Sequence, residues 1–464
     1  MKKFKMPTAY TVLFGILLLM TILTWIIPSG QYEYGENGEP IAGSYHRVED
    51  AAQPITSVVT APLQGLYEGI DIAAFILTVG GFLGVVAKTG AIDAGISAIV
   101  RKLQGREMLL IPILMCAFAV GGTTFGMAEE TIAFYPLVLP IMVAAGYDTV
   151  TAVATILLGA GVGVIGSTVN PFATGIAAGF AGVTLGEGIL LRVAILLVLL
   201  ALAIWYVMSY AARVKADHSR SLVAEHRSAH LEHFGALRQE EKKLGGVQKL
   251  ALIFFGATFL LMVYAVIPFE DMGLPIPTLG WWFPELSSLF LFASILTGLC
   301  CRLGEEETVT SFVSGAAELL GVAFIIGISR GITVIMNNGK ITDTILSWGE
   351  AALSGAGSLI FIILTYLIYL PLSFLIPSSS GLATLSMPIM APLADFAGVE
   401  RSLVITAFQS ASGILNLITP TSAVVMGALA IGRVPYDRWL KFVWKLILLI
   451  FVIVLALLAA GVLF

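Results

Sequence analysis

The chain has 464 residues, 58% hydrophobic and only 12% charged, with 25 Lys and Arg against 30 Asp and Glu for a formal net charge of −5. A mean hydropathy of +0.95 excludes an ordinary soluble enzyme, and the lack of surplus positive charge excludes a nucleic-acid binder. The uncharged runs 149–186, 193–212, 250–269, 351–394, 402–432 and 446–464 can each fill about 30 Å of hydrocarbon, so the sequence specifies an all-α polytopic membrane protein.

An outer-membrane barrel is excluded as well, because it needs alternating strands of about ten residues rather than continuous apolar runs. In chain order, Lys2, Lys3 and Lys5 precede an apolar stretch from Thr8 to Ile27. That stretch is too long for a signal-peptide core and has no small-residue cleavage site after it, so it is expected to be a retained first transmembrane helix. Residues 28–60 read as an extracellular loop with a turn at Asn37-Gly38, which completes a first unit over 1–60.

Repeat 1 is expected over 61–209. It holds a span near 72–87, then 107–147, where two apolar halves flank Gly121-Gly122-Thr123-Thr124-Phe125-Gly126, then 149–183, interrupted at Gly166-Ser167-Thr168-Val169-Asn170-Pro171, and a span near 190–209. Each half of 107–147 is expected to reach the membrane interior and turn back, which makes a re-entrant hairpin with a glycine-rich tip. The polar stretch 210–249 carries His218, His226, His230 and His233. It reads as a solvated cytoplasmic linker with an amphipathic helix rather than a metal site, because no carboxylate or cysteine stands at ligand spacing. Two scaffold helices are expected within 250–301 (spans near 250–268 and 286–301), followed by repeat 2 over 310–464. This contains a span near 312–337, a hairpin over 356–399 around Pro377-Ser378-Ser379-Ser380-Gly381, a broken helix over 402–430 at Asn416-Leu417-Ile418-Thr419-Pro420-Thr421-Ser422, and a last span near 442–463. Cys116, Cys300 and Cys301 sit in apolar segments and read as small buried hydrophobes.

Charge orients this map. With both hairpins re-entrant and the N-terminus cytoplasmic, the inside segments carry 20 of the 25 Lys and Arg. Arg47, Arg192, Lys340 and Arg401 fall outside, and Arg330 lies within a span. The halves also match at offsets near 249: Ala73-Ala74-Phe75-Ile76-Leu77 with Val322-Ala323-Phe324-Ile325-Ile326, Pro140-Ile141-Met142 with Pro388-Ile389-Met390, and Asn170-Pro171 with Thr419-Pro420. Five crossings separate equivalent helices, so the repeats are expected to be inverted, an architecture of secondary transporters in a prokaryotic cytoplasmic membrane.

The two tips and two breaks bring irregular backbone and short polar side chains to membrane depth, where peptide groups cannot face lipid. Substrate-binding candidates are therefore Thr123, Thr124, Glu129 and Glu130 at the first tip, Ser167, Thr168 and Asn170 at the first break, Ser378, Ser379 and Ser380 at the second tip, and Asn416, Thr419 and Thr421 at the second break, with Arg330. Glu129 or Glu130 could take a proton, balance Na⁺ or grip a substrate amine, or stand solvated on a shallow hairpin; Arg330 could meet a carboxylate or neutralise an acidic neighbour. No HExxH occurs and all five histidines lie outside the spans, so no catalytic residue, resident metal or cofactor is expected.

With these residues in view, the chain resembles the YfcC/DcuC-like carrier family, named for anaerobic C4-dicarboxylate carriers, within the wider ion-transporter superfamily. The likeness rests on Met6-Pro7-Thr8-Ala9-Tyr10, Thr24-Trp25-Ile26-Ile27-Pro28-Ser29-Gly30-Gln31-Tyr32, Gly126-Met127-Ala128-Glu129-Glu130-Thr131 and Ile376-Pro377-Ser378-Ser379-Ser380-Gly381. It implies a scaffold domain, a mobile transport domain, elevator-type alternating access and a homodimer. Superfamily relatives carry Ser-Asn-Thr where this chain has Gly166-Ser167-Thr168-Val169-Asn170 and Ile418-Thr419-Pro420-Thr421. Two glutamates beside a tip repel a dianion and welcome an amine or guanidinium. The expectation is thus a carrier of basic amino acids, of the arginine/ornithine exchange type, with Na⁺- or H⁺-coupled dicarboxylate transport and a channel as alternatives.

Overall fold

The computed structural model describes residues 9–35, 40–41, 43–92, 94–95, 106–184, 186–235, 245–266, 269–270 and 275–463. The lysines at 2, 3 and 5, the Asn37-Gly38 turn, Arg101, Lys102 and linker residues 236–244 lie outside them. Eighteen described α-helices follow one another: α1 Ala9–Ile26, α2 Ser57–Glu68, α3 Ile70–Lys88, α4 Leu110–Phe125, α5 Tyr135–Ala144, α6 Thr149–Ile165, α7 Ile176–Ala181, α8 Ile189–Ala216, α9 Arg227–Gly235, α10 Gly246–Val266, α11 Phe283–Cys300, α12 Glu305–Asn338, α13 Thr342–Leu353, α14 Ser358–Leu375, α15 Ser379–Ala397, α16 Arg401–Leu415, α17 Ala423–Ile431 and α18 Tyr436–Leu463. Strand pairing among the described residues is confined to the short loop ladder Gly30–Gln31 with His46–Arg47 and a bridge between Tyr34 and Pro40.

Among the described residues, seven segments are long and apolar enough to cross a membrane: Ile70–Lys88, Glu107–Thr124, Ile189–Ala216, Phe283–Cys300, Glu305–Asn338, Ser358–Leu375 and Tyr436–Leu463. Two of them, Glu107–Thr124 and Ser358–Leu375, are the first arms of the two hairpins, each 18 residues long. In the first hairpin this is because Gly121 and Gly122 do not end the helix. Gly122 lies where a Cβ would strike the Ala160 carbonyl, so it lets α4 press onto α6, Gly121 makes room for Met127, and the turn waits for Gly126, in the left-handed region at φ +75°. The second arm then starts as a 3₁₀ turn, Glu129–Phe134, before α5.

The sequence reading did not anticipate α2 or α13. Helices α2 and α3, parted only by Gly69, run antiparallel along α12, whose 34 residues extend about 51 Å. Contact is backbone to backbone. A Cβ on Gly80 would meet the Gly315 carbonyl, one on Gly315 the Gly80 carbonyl, and one on Gly65 the backbone of Gly327 and Gly331. Lipid tails supply no hydrophobic drive between helices, so this close approach and its dispersion contacts hold the pair. At its start, α12 carries Glu305, Glu306 and Glu307, favourable at a helix N-terminus, and Glu307 pairs with Lys88 at 3.2 Å.

The broken helices α6 and α16 form the centre and are buried almost all round. The loop after α1 is docked rather than free: Tyr32 N and the Tyr34 hydroxyl donate to Asp343 at 3.1 and 2.8 Å, and the Tyr32 hydroxyl donates to Glu350 at 2.7 Å. Burial and these carboxylates hold both phenols above their ordinary pKa.

Within the largely exposed linker, one histidine is packed rather than solvated. His230 is only 5% exposed and spans two contacts, Thr149 Oγ1 at 3.4 Å and the Arg433 carbonyl at 3.2 Å, so α9 fastens the start of α6 to the turn after α17. Among the described residues no group of three His, Cys, Asp or Glu is placed to hold a metal.

Two outcomes follow. Gly80→Leu or Gly315→Leu overpacks a contact whose far side is backbone and destabilises the fold by about 1–3 kcal/mol or more, read as a lower melting temperature in detergent, whereas Gly15→Ala, with open space around it, does not lower it. Burial, with Arg433 and His226 nearby and only partly opposed by Asp148 and the carbonyl bond, depresses the His230 pKa, and burial depresses that of His233 too. A native state that resists protonation loses stability when the unfolded chain gains a proton. Stability is therefore full above about pH 6.5, the free imidazole value, and falls as pH drops below it. Melting between pH 8 and 5 reads this, with a shallower slope in His230→Asn.

Candidate functional site

Both breaks leave helix carbonyls without their normal donors, and other elements supply them. At the end of α6, Gln409 Nε2 donates to the Val164 carbonyl at 2.8 Å, Ser410 Oγ to Ile165 at 3.3 Å and Thr123 Oγ1 to Gly166 at 2.9 Å. Thr123 also accepts from Thr168 N, at 3.0 Å on its hydroxyl and 3.1 Å on its carbonyl. Beyond this break the chain resumes as a π-helical turn, Pro171–Gly175, with Gly175 N donating to the Asn170 carbonyl at 2.8 Å. At the end of α16, Trp439 Nε1 donates to Leu417 at 2.9 Å and the Tyr436 hydroxyl to Ile418 at 2.6 Å. Ser329 of α12 donates to the Thr421 carbonyl, and Thr421 Oγ1 donates to Phe374 of the second hairpin at 2.9 Å.

The tips close on the breaks. Gly126 packs so tightly on Asn170 that a side chain there would run into it, and Asn416 Nδ2 reaches the Pro377 carbonyl at 3.5 Å. Between tips and breaks lies a cavity of about 210 Å³. It is lined by Glu129, Glu130, Asn170, Arg330, Ser378, Ser379, Ser380, Asn416 and Thr421 of the sequence candidates. Thr123, Thr124, Ser167, Thr168 and Thr419 stand behind it. Thr124 bonds the Val120 carbonyl of its own helix, Ser167 bonds Thr174, and Thr419 bonds Thr421. Those five hold the backbone in shape rather than facing the cavity.

The cavity also has a wall that sequence reading missed, with Glu68 from the end of α2, Trp282 and Phe283 from the start of α11, and Ser329 and Thr333 from α12. Glu68 stands at a helix end and Trp282 in a loop. Their membership depends on α2 and α11 meeting at the cavity, which spacing does not reveal.

The lining divides chemically. Glu68, Glu129 and Glu130 supply carboxylates, and Glu130, buried at 7% exposure, accepts from Ala128 N at 3.0 Å. Helices α15 and α17 both begin at the cavity. Their caps Ser378 and Ser422 accept from Gly381 N and Val425 N, while the amides of Ser379, Ser380, Ala423 and Val424 make no bond among the described residues. Two open helix N-termini attract an anionic group. Arg330, whose stem packs by Gly69, makes no ion pair among the described residues. One cavity thus offers receptors for a negative and a positive group together.

Over residues 6–463 the chain matches the DcuC family, described as C4-dicarboxylate anaerobic carriers. An uncharacterized protein of Haemophilus influenzae is 34% identical over 495 residues, spanning 96% of this chain and 95% of its own. A protein of Escherichia coli K12 provisionally named basic amino acid antiporter YfcC is 30% identical over 496 residues, spanning 97% and 95%. Among solved structures, the Alcanivorax borkumensis YdaH transporter aligns at TM-score 0.44 and 15% identity, over 98% of each chain. Neisseria gonorrhoeae MtrF, described within a class of antimetabolite efflux pumps, aligns at 0.42 and 16%, over 98% and 95%.

Thr123→Val strips the side-chain donor from the Gly166 carbonyl, leaving that buried group unpaired at a cost of about 1–3 kcal/mol, while Thr168 N keeps its bond to the Thr123 carbonyl. The expected result is a marked drop in detergent melting temperature, with Thr124→Val, whose hydroxyl serves only its own helix, close to wild type.

Proposed function

The chain belongs to the DcuC family of C4-dicarboxylate anaerobic carriers and is a membrane transporter, and from that premise we propose that it exchanges basic amino acids across the cytoplasmic membrane. One observation carries this reading: three carboxylates line the same cavity as two open helix N-termini. A basic amino acid matches it end for end. Its α-carboxylate suits the free amides of α15 and α17 with Arg330, and its cationic end suits Glu129 and Glu130. A dianion finds the first half of that arrangement and is repelled by the second, since like charges at low effective dielectric cost several kcal/mol. The name of the Escherichia coli relative points the same way.

We further infer that the halves are inverted repeats working by alternating access, in a homodimer whose N-terminus is cytoplasmic. Support comes from the order hairpin then broken helix in each half, and from basic residues gathered in segments such as 213–249 and 433–445. In an elevator-type cycle α12 stays still while the second break moves, so the Ser329 bond to Thr421 breaks and re-forms on each turnover. Exchange itself needs no resident cofactor; Na⁺ or H⁺ enters only if transport is coupled.

In liposomes loaded with ornithine, the purified protein is expected to take up labelled arginine, and Glu130→Gln to slow that uptake at least about tenfold, equivalent to about 1.4 kcal/mol. Sodium-dependent succinate accumulation without arginine counterflow overturns the assignment in favour of a dicarboxylate carrier.

A further inference from the structure

The wall built by α2, α3 and α11 brings a carboxylate, Glu68, and an aromatic ring, Trp282, to the same cavity. Phe75 of α3 packs on Phe283 with ring centroids 5.6 Å apart, and Phe283 packs on Trp282 at 4.8 Å. Ile72 and Glu68 lie one and two turns before Phe75, across the Gly69 junction, and both reach the cavity. Glu68 and Trp282 thus reach one cavity from helices joined by the contact of Phe75 with Phe283. Trp282 is held at a fixed place: its backbone N–H donates to Glu285 at 3.0 Å, and Phe283 and Pro284 open α11 directly after it. Trp282 as a whole is 42% exposed.

The basic amino acids differ at the cationic end. An ammonium is a compact charge with three donors, which Glu129 and Glu130 suffice to meet. A guanidinium is a flat fork with five donors and an apolar plane, so it needs a further acceptor beyond one carboxylate and gains from an aromatic face. We propose that Glu68 and Trp282 form a guanidinium subsite, with the carboxylate taking the outer N–H groups and the indole covering the plane, so that these two residues set the preference for guanidinium over ammonium substrates. This rests on the basic amino acid reading and names the specificity-determining residues within it.

The test measures KM for labelled arginine and labelled ornithine in proteoliposomes loaded with unlabelled substrate, for wild type, Glu68→Gln, Trp282→Leu and Trp282→Phe. Gel filtration and melting of each variant in detergent report its folding. The expected result is an arginine KM raised at least about tenfold in Glu68→Gln and Trp282→Leu, with ornithine changed less than about twofold and Trp282→Phe retaining most of the arginine preference. Equal losses for both substrates, or no loss for either, overturn the subsite while leaving the carrier reading intact. A wild type that exchanges neither amino acid overturns both.

Discussion

A carbonyl without a donor cannot stay at membrane depth, and the centre of this protein is organised around that constraint. Two helices stop inside the chain's apolar core, and each stop exposes carbonyls that their own helix no longer serves. The donors come from far along the chain: Thr123, Gln409 and Ser410 at the first break, Trp439, Tyr436 and Ser329 at the second. Satisfying the first break ties α6 to the first hairpin and to α16. Satisfying the second ties it to α18 and α12. An asymmetry results, because carbonyl ends are occupied while the amides that begin α15 and α17 stay open toward the cavity.

Around this centre, α2, α3 and α12 use a different device. They approach through glycine, with Gly80 against Gly315 and Gly65 against Gly327 and Gly331, so that backbones touch along most of a 34-residue helix. Such a pair has little room to adjust. It gives Arg330 and Ser329 a rigid base from which to face the hairpin tips, and its other strand ends at Glu68.

Outside the apolar core, the linker 210–249 makes contacts with both repeats. His230 joins Thr149 to the Arg433 carbonyl, Arg438 pairs with Glu225 at 2.7 Å, and Lys215 pairs with Glu107 at 2.9 Å. The two ion pairs are partly exposed and worth little each, about 0–1 kcal/mol. The buried histidine makes the linker's attachment sensitive to acid.

Much of this was legible in one dimension. Hydropathy located the long apolar helices near 72–87, 190–209, 286–301, 312–337 and 442–463, proline with asparagine or threonine marked both breaks, and the glutamates at 129 and 130 were visible because charge is so scarce among apolar residues. Helix α2 was not legible, being short and set between a loop and a longer span. Nor could spacing separate Asn170, which faces the cavity, from Thr123 and Ser167, which serve the backbone beside it. Sequence determined by itself that the chain is membrane-embedded and where its helices must fail, since transfer energy and proline sterics act locally. Which polar groups at those failures stay open for a substrate, and that Glu68 and Trp282 stand among them, was decided only in the fold, because hydrogen-bond partners there are drawn from segments as many as 245 residues apart.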